Sequence, residues 1–438
     1  MEKWQKTLEE ALKQNIRFVN ILFTNLSGRL LVVQIPIDEF EDATKYGVGF
    51  DGSSAKFTEV EKSDLLLRPD PNTLRIARWA KPPMAIAIGE IYEGGAPSEL
   101  DPRNVLKSAI SELKKTLGEG VEYLTSPEIE FWLLKPTPSG DVELHDRGTY
   151  FTAPPEDLGY EIRLEIASAL KSMDIYPEKI HHEVPPAKHE IDFKYADAIT
   201  TADNVLIYKY TVRTIASYYG LIASFMPKPF YGTYGAGMHT HQSLYDSNRG
   251  VNLFYGDKQS LSDTAFYYIG GLVKFAKEIT AITNPTVNSY KRLVPGWEAP
   301  VYITWARYNR SALIRVPMTT NPRKVRIEYR ATDGTCNPYI AFAAMLAAGL
   351  EGIKNRIEPP EPLEENVYRM SEEERKAKGI EVLPSSLKEA LDVFEKSDLA
   401  KRTLGERAFR KFLELKREEW REYSLIVTPW ERQKYLYY

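Results

Sequence analysis

The stretch SPEIEFWLL, residues 126–134, carries Glu128 and Glu130 inside a run of Ile, Phe, Trp and Leu. Side chains alternate along a strand, so both carboxylates take one face and Ile129 and Phe131 the other. Two adjacent anions on a largely buried strand cost on the order of several kcal/mol unless something compensates them. The chain must therefore fold so that positive charge or bound cations reach that face.

Four further segments place polar groups at strand spacing in apolar surroundings. HHEVPPAKHEIDF carries Glu183 and Glu190, and GAGMHTHQSL puts His239, His241 and Ser243 on one face. NRSALIRVP carries Arg310 and Arg315, and RKVRIEYR sets Arg326, Glu328 and Arg330 opposite Val325, Ile327 and Tyr329. Each has an ordinary reading alone: an exposed glutamate, a hydrogen-bonded core histidine, or a surface ladder of ion pairs worth under about 1 kcal/mol each. Together, on one sheet face, they would bring carboxylates, imidazoles and guanidiniums to a common centre. An oxygen-rich, thiolate-free set suits Mg²⁺ or Mn²⁺ rather than zinc, and its number of carboxylates leaves room for two ions. Nearby arginines suit a polyanion, since guanidinium matches phosphate and carboxylate. Metals and arginines around a phosphate imply phosphoryl transfer.

The familiar nucleotide motifs are missing. GxxxxGK[ST] does not occur, GTYGAG lacks dinucleotide spacing, and the kinase HRD and DFG motifs and HExxH are absent. The 438 residues carry 57 Lys and Arg against 61 Asp and Glu, a net charge of −4, with no basic excess for nucleic acid or anionic lipid. Cys336 is the single cysteine, so no intrachain disulfide is possible. The N-terminal MEKWQKTLEEALKQ is charged and amphipathic, and Tyr339–Leu350 is too short to span a bilayer. A cytoplasmic protein is expected.

The expected architecture is α+β. A helix is predicted over 7–15, a hairpin turning at Asn25–Gly28, and strands at 65–67 and 84–91. EGGAPSELDP reads as a linker, with Asp101 capping a helix that has Pro102 at its first position, so domains are expected at 1–100 and 101–438. Beyond it, helices are predicted at 161–173, 202–219, 262–281 and 338–354, and strands at 127–134, 189–193, 237–245, 311–316 and 324–330. The last 80 or so residues read as helical. Ser371 with Glu374 and Ser386 with Glu389 match capping boxes there.

In this order and spacing, FDGSS (50–54), SPEIEF, HHEV…HEIDF, GMHTHQSL, RLVPGWEAPV (292–301), NRSALIRVP and RIEYRATDGTCNPY resemble type I glutamine synthetase over nearly the whole chain. The resemblance implies a small N-terminal β-grasp domain and a large creatine-kinase-like catalytic α+β domain. It implies that Glu130, Glu183 and Glu190 hold one ion, and that Glu128, His239 and Glu328 hold a second beside the nucleotide. It puts Arg310, Arg315 and Arg323 on ATP phosphates, with Glu178, His241 and Ser243 on the nucleotide side. L-glutamate falls to Arg292, Gly235, Arg330 and Glu298, and the ammonium pocket to Asp51, Ser54, Tyr150 and Glu183. Asp51 is the implied base, Glu298 the latch over γ-glutamyl phosphate, and Arg310 a catalytic cation. A dodecamer of two stacked hexameric rings is implied, with Asp51 reaching a neighbour's site and TPWERQKYLYY resembling the segment that threads into the opposite ring.

Four positions depart from the family pattern: Tyr234 before Gly235, Ala187-Lys188 in the HEV…HE segment, Arg323 for a lysine, and Glu59 for an arginine. They bear on substrate identity more than on reaction class. A γ-glutamyl-amine ligase and a weakly active regulatory paralogue are the alternatives, although all six implied metal ligands are present. Tyr368 lies near the adenylylation loop of some relatives, but its neighbours differ and no adenylylation is expected.

Overall fold

The computed structural model describes residues 2–256, 261–297 and 299–438. Helix α1 (Lys3–Lys13) leads into β1 (Phe18–Thr24) and β2 (Leu30–Pro36), and α2 (Phe40–Tyr46) follows. Strands β3 (Val48–Asp51), β4 (Asp64–Ala77), β5 (Met84–Glu93) and β6 (Ala96–Pro97) complete one sheet, ordered β2-β1-β5-β4-β3 with β6 on the outside of β5. The β1–β2 turn closes at Gly28, whose φ is +82°. A Cβ there would stand 2.8 Å from the Thr335 carbonyl, so the left-handed turn and its close approach to the rest of the chain both require glycine.

Asp101 accepts from the Arg103 amide and starts α3 (Pro102–Leu117). Then come β7 (Val121–Pro136), β8 (Val142–Leu144), α4 (Tyr160–Ser172), β9 (Pro177–His182), β10 (Lys188–Phe193) and β11 (Ala196–Asp197). Next are α5 (Ala198–Tyr218), β12 (Ile222–Ser224), β13 (Met238–Asp246) and β14 (Val251–Asn252). Helices α6 (Asp263–Lys274), α7 (Ala276–Thr283) and α8 (Ser289–Arg292) precede β15 (Trp305–Ala306), β16 (Ile314–Arg315), β17 (Ile327–Tyr329) and α9 (Pro338–Lys354). These strands form a second sheet, ordered β15-β16-β17-β13-β7-β10-β9.

The second sheet is two-faced, as the alternation in β7 predicts. Ile129 and Phe131 are fully buried, and the Tyr208 hydroxyl of α5 donates to the Ile129 carbonyl at 3.2 Å. The opposite face carries the acidic side chains. Behind it, α6 and α9 approach closely through glycines: a Cβ on Gly271 would lie 2.1 Å from the Ala348 carbonyl.

Arg103, at the start of α3, ties the first sheet to α5. Its buried guanidinium donates to both oxygens of Asp203 on α5 at 3.0 and 2.9 Å, to Asp70 on β4 at 2.9 Å, and to Glu90 on β5.

The predicted 262–281 helix breaks at Phe275, whose φ and ψ of −97° and 8° leave the helical basin. The predicted strands at 311–316 and 324–330 shrink to two and three paired residues. Pro317 and Pro322 lie between them and offer no amide to a ladder. At the C-terminal end Ser371 and Glu374 form the full reciprocal cap. Ser386 accepts from the Glu389 amide, but the Glu389 carboxylate turns to Ser385 instead. The last helix, Pro429–Tyr435, and the residues after it leave Trp430, Leu436, Tyr437 and Tyr438 exposed.

Candidate active site

Strand register assembles the acidic face. β13 runs antiparallel to β7 with His239 opposite Glu128, and β17 sets Glu328 opposite His241. On the other side of β7, β10 sets Glu190 opposite Glu130. Four neighbouring strands thus supply side chains to one surface.

Two groups converge there. Glu128, His239 and Glu328 offer ligand atoms within 4.8 Å of one another, as do His181, Glu183 and Glu190. In the first group His239 Nδ1 lies 3.2 Å from Glu128 and 3.7 Å from Glu328. In the second, His181 Nε2 lies 2.9 Å from Glu183 and 3.7 Å from Glu190. Glu130 joins neither: its Oε2 accepts from Lys188 Nζ and from the Gly237 amide, each at 2.8 Å. Here the geometry differs from the sequence expectation, which grouped Glu130 with Glu183 and Glu190. His181, two residues before Glu183, faces the same way and stands beside Glu183 and Glu190.

The charges show why cations suit this surface. Burial and the nearby Asp192, Glu128, Glu130 and Glu183 carboxylates push the Glu190 carboxyl well above its usual range. Burial works the same way on Glu183, yet the hydrogen bond from His181 and the charge of Lys188 hold it at about 2. Burial also opposes ionisation of Glu128, but His239 and His241 hold it well below the ordinary value. Glu328 is fully buried, between Arg315 Nη1 at 2.5 Å and Arg330 Nη1 at 2.6 Å.

Two cavities meet at this surface. One of about 300 Å³ is lined by Glu178, Ser243, Arg323 and Arg326. The other, of about 650 Å³, is lined by Glu130, Glu183, Glu190, Gly235, Arg292, Arg310, Arg315 and Arg330, with Tyr150, Tyr234 and Trp297 beside them. Glu128, His241, Lys179 and Arg326 line both. Of the expected residues, Glu178, Ser243 and Arg323 line the smaller cavity alone, and Gly235, Arg292, Arg310, Arg315 and Arg330 the larger alone. Asp51 and Ser54 line neither. Asp51 is exposed on the first sheet and held at about 2 by hydrogen bonds from Ser54 and Ser53. Glu298 lies outside the described residues.

Sequence reasoning gave no role to His181, Lys179, Asp192 or Arg326. Arg326 had been placed on the right face; its Nε donates to His241 Nδ1 at 3.3 Å, which leaves His241 Nε2 to donate to Glu128 at 2.8 Å. Tyr368 lines the larger cavity and donates to the Ala299 carbonyl at 2.5 Å. Behind Glu183, the His182 ring bonds the Glu183 carbonyl at 2.6 Å and Asp146 at 3.0 Å. His189, in that same buried group, accepts from Arg163 through Nδ1. Its Nε2 therefore carries the ring hydrogen, which makes it a packing group rather than a metal ligand.

Comparison with known proteins agrees with this geometry. The family model described as glutamine synthetase, catalytic domain, matches residues 99–435, and the one described as glutamine synthetase, beta-Grasp domain, matches 15–94. Glutamine synthetase of Methanosarcina mazei is 47% identical, covering 99% of this chain and 97% of that protein. The Pyrococcus abyssi protein of the same name is 46% identical over 96% and 97%, and that of Thermotoga maritima 44% over 100% and 99%. Among solved structures, a GmaS/ADP complex superposes with a TM-score of 0.89 at 33% identity, covering 98% of this chain and 99% of that one. With two-thirds and more of the chain matched by the catalytic-domain model and near-complete coverage by its relatives, this protein belongs to the glutamine synthetase family.

Proposed function

We propose that the chain is an ATP-dependent ligase that joins ammonium to the side-chain carboxylate of L-glutamate through γ-glutamyl phosphate. The observation that carries the reading is the shared wall of the two cavities, where Glu128 and His241 face both spaces and the two carboxylate–imidazole groups lie. The smaller cavity takes ATP, with Arg323 and Ser243 on the nucleotide. The larger takes glutamate, with Arg292 and Arg330 on its carboxylates and Gly235 beside them.

The residues present fit divalent cations. The groups offer hard carboxylate oxygens with one imidazole each, and the crowding that raises Glu190 marks a face short of positive charge. Bound Mg²⁺ or Mn²⁺, two or more per subunit, would draw charge off the transferring phosphoryl oxygens. The chain's own residues do the remaining work. Arg310 and Arg315 hold the phosphate chain at the mouth of the larger cavity and stabilise charge as it develops. Glu328 keeps Arg315 of β16 and Arg330, just after β17, at fixed positions. Arg292, buried and bonded to the Ala331 and Arg330 carbonyls, has its guanidinium fixed before glutamate arrives.

The ammonium site is completed by a second copy. Asp51 and Ser54 of one subunit face the cavity of the next in a homododecamer of two stacked rings, with Tyr150 and Glu183 opposite. Covered in this way, Asp51 takes a proton from ammonium before ammonia attacks the acyl phosphate. Glu298 closes the cavity against water. The exposed aromatic C-terminal helix suits burial in the opposite ring. A division near residue 100 and a cytoplasmic location belong to the same proposal. No helix among the described residues is long and apolar enough to cross a membrane.

A second reading follows from Tyr234 and Trp297, whose rings meet edge to face at 5.9 Å in the wall of the larger cavity and could seat an organic amine. The test is ADP release with Mg²⁺ and glutamate on adding ammonium, methylamine, ethanolamine or putrescine. Ammonium is expected to support turnover with glutamine as product. Turnover with an amine and none with ammonium overturns the first reading in favour of the second.

A further inference from the structure

Lys209 of α5 is buried, and among the described residues it forms no ion pair. Its ammonium makes one hydrogen bond there, a long one of 3.4 Å to the Cys336 carbonyl. An ammonium carries three donors and is costly to bury without acceptors for them. Burial, together with Arg213 one turn further along the helix, pushes it down to about 8. Asp333 attracts it without pairing, because the Asp333 oxygens already accept from Asn284 and Thr335.

Lys209 lines a cavity of about 370 Å³ between the β1–β2 turn, α5 and the segment around Thr335. It shares no lining residue with the two cavities of the acidic face. Arg29 of the turn and Arg213 of α5 line it too and stand exposed at its mouth. Phe225 is its apolar wall, with Lys209 Nζ 5.8 Å and the Arg213 guanidinium 5.2 Å from the ring centre. No Asp or Glu is among its lining residues. Three cations around one small space repel one another until an anion enters it.

We infer that this cavity binds a small dianion, a carboxylate or a phosphate, held by Lys209 at its base and by Arg29 and Arg213 at its mouth. Ammonium and guanidinium are the side chains that match those groups. Such an anion touches the turn of the first sheet on one side. On the other it meets Phe225 and Pro227, at the start of the loop that runs on to Tyr234 and Gly235. The Pro227 carbonyl accepts from the Ala236 amide at 2.8 Å, so the two ends of that loop are already joined. Occupancy therefore links the first sheet to the loop that reaches the larger cavity. Binding here requires neither the divalent cations nor the ligase reaction.

The test is a calorimetric titration of the assembled protein with inorganic phosphate, and separately with succinate, in a zwitterionic buffer with chloride as the only other anion. One of the two is expected to bind at a site that Lys209→Met weakens roughly tenfold or more, the scale of one lost charge-assisted hydrogen bond. Anion taken up by the catalytic cavities is common to both proteins and cancels in the comparison. Arg213→Met, at the exposed mouth, is the second variant should the first fail to assemble, and is expected to weaken the same site. Sensitivity in the phosphate arm assigns the site to a phosphate, and in the succinate arm to a carboxylate. Without added anion, Lys209→Met is expected to melt at or above the midpoint of the unaltered protein, because the empty site keeps a cation buried. Isotherms that superimpose between the unaltered protein and the assembled variant for both anions overturn the inference. So does a lower midpoint of Lys209→Met without added anion, which makes the lysine a structural group.

Discussion

Glu328→Gln is expected to lower kcat/KM for ligation by roughly 10³-fold, the scale set by removing one preorganised electrostatic group from an active site. The side chain is fully buried and ion-paired to Arg315 and Arg330 while its Oε1 also faces His239. Burial disfavours its charge, yet Arg330 and His241 hold its carboxyl below the usual range. A carboxamide of the same shape keeps one acceptor oxygen, but turns an NH₂ toward one of the guanidiniums. It also removes the negative charge that the first ion group needs. Breaking one side of such a buried set costs about 3–5 kcal/mol, so the thermal midpoint should fall along with the rate. Glu122→Gln, an exposed carboxylate on β7 of the same sheet, is the control and should leave the rate within about twofold. Steady-state kinetics and a melting curve on the three proteins decide the matter; a Glu328→Gln enzyme with full rate removes Glu328 from the site.

Arg103→Met should destabilise the fold by about 3–5 kcal/mol while touching no active-site residue. Three acidic side chains, two from the first sheet and one from α5, converge on this guanidinium, and the Tyr339 hydroxyl also donates to Asp203 at 2.7 Å. Burial already raises the Asp203 carboxyl even with Arg103 beside it. Methionine fills the volume but leaves Asp70, Glu90 and Asp203 facing one another. The Asp203 carboxyl, already raised by burial, then titrates higher still in the folded chain than in the unfolded one. The folded state binds more protons, so the variant's stability falls as pH rises. The deficit relative to the unaltered protein should therefore be larger at pH 8 than at pH 6. Lys3→Met, which breaks the exposed pair with Asp174, should cost under about 1 kcal/mol. Equal midpoints for Arg103→Met and the unaltered protein would contradict this account of how the first sheet is tied to α5.

Period-two alternation explains how much of the site was legible. It placed Glu128 with Glu130, His239 with His241, and Arg326 with Glu328 and Arg330, because strand geometry fixes which way a side chain faces. The hairpin at Gly28 and the helix start at Asp101 were legible for the same local reason: their residues satisfy backbone groups within a few positions. What alternation cannot supply is the partner. Lys188 shares a face with Glu190, yet its ammonium reaches Glu130 and Gly235 through a neighbouring strand and a loop. Arg103 looks like any helix residue until β4, β5 and α5 close around it. His181 escaped because attention to Glu183 and Glu190 stopped at carboxylates, although its spacing already put it beside them. The strands at 311–316 and 324–330 were drawn too long because alternation continues beyond the residues that find a partner, 314–315 and 327–329.

The central claim is that this surface moves phosphorus from ATP onto the side-chain carboxylate of glutamate. Glutamate carrying ¹⁸O in that carboxylate, turned over with ATP and ammonium in unlabelled water, tests it directly by mass spectrometry of the released phosphate. Passage through γ-glutamyl phosphate predicts one ¹⁸O in each phosphate formed with glutamine. Phosphate free of label, with glutamine formed at the same rate, would contradict the account.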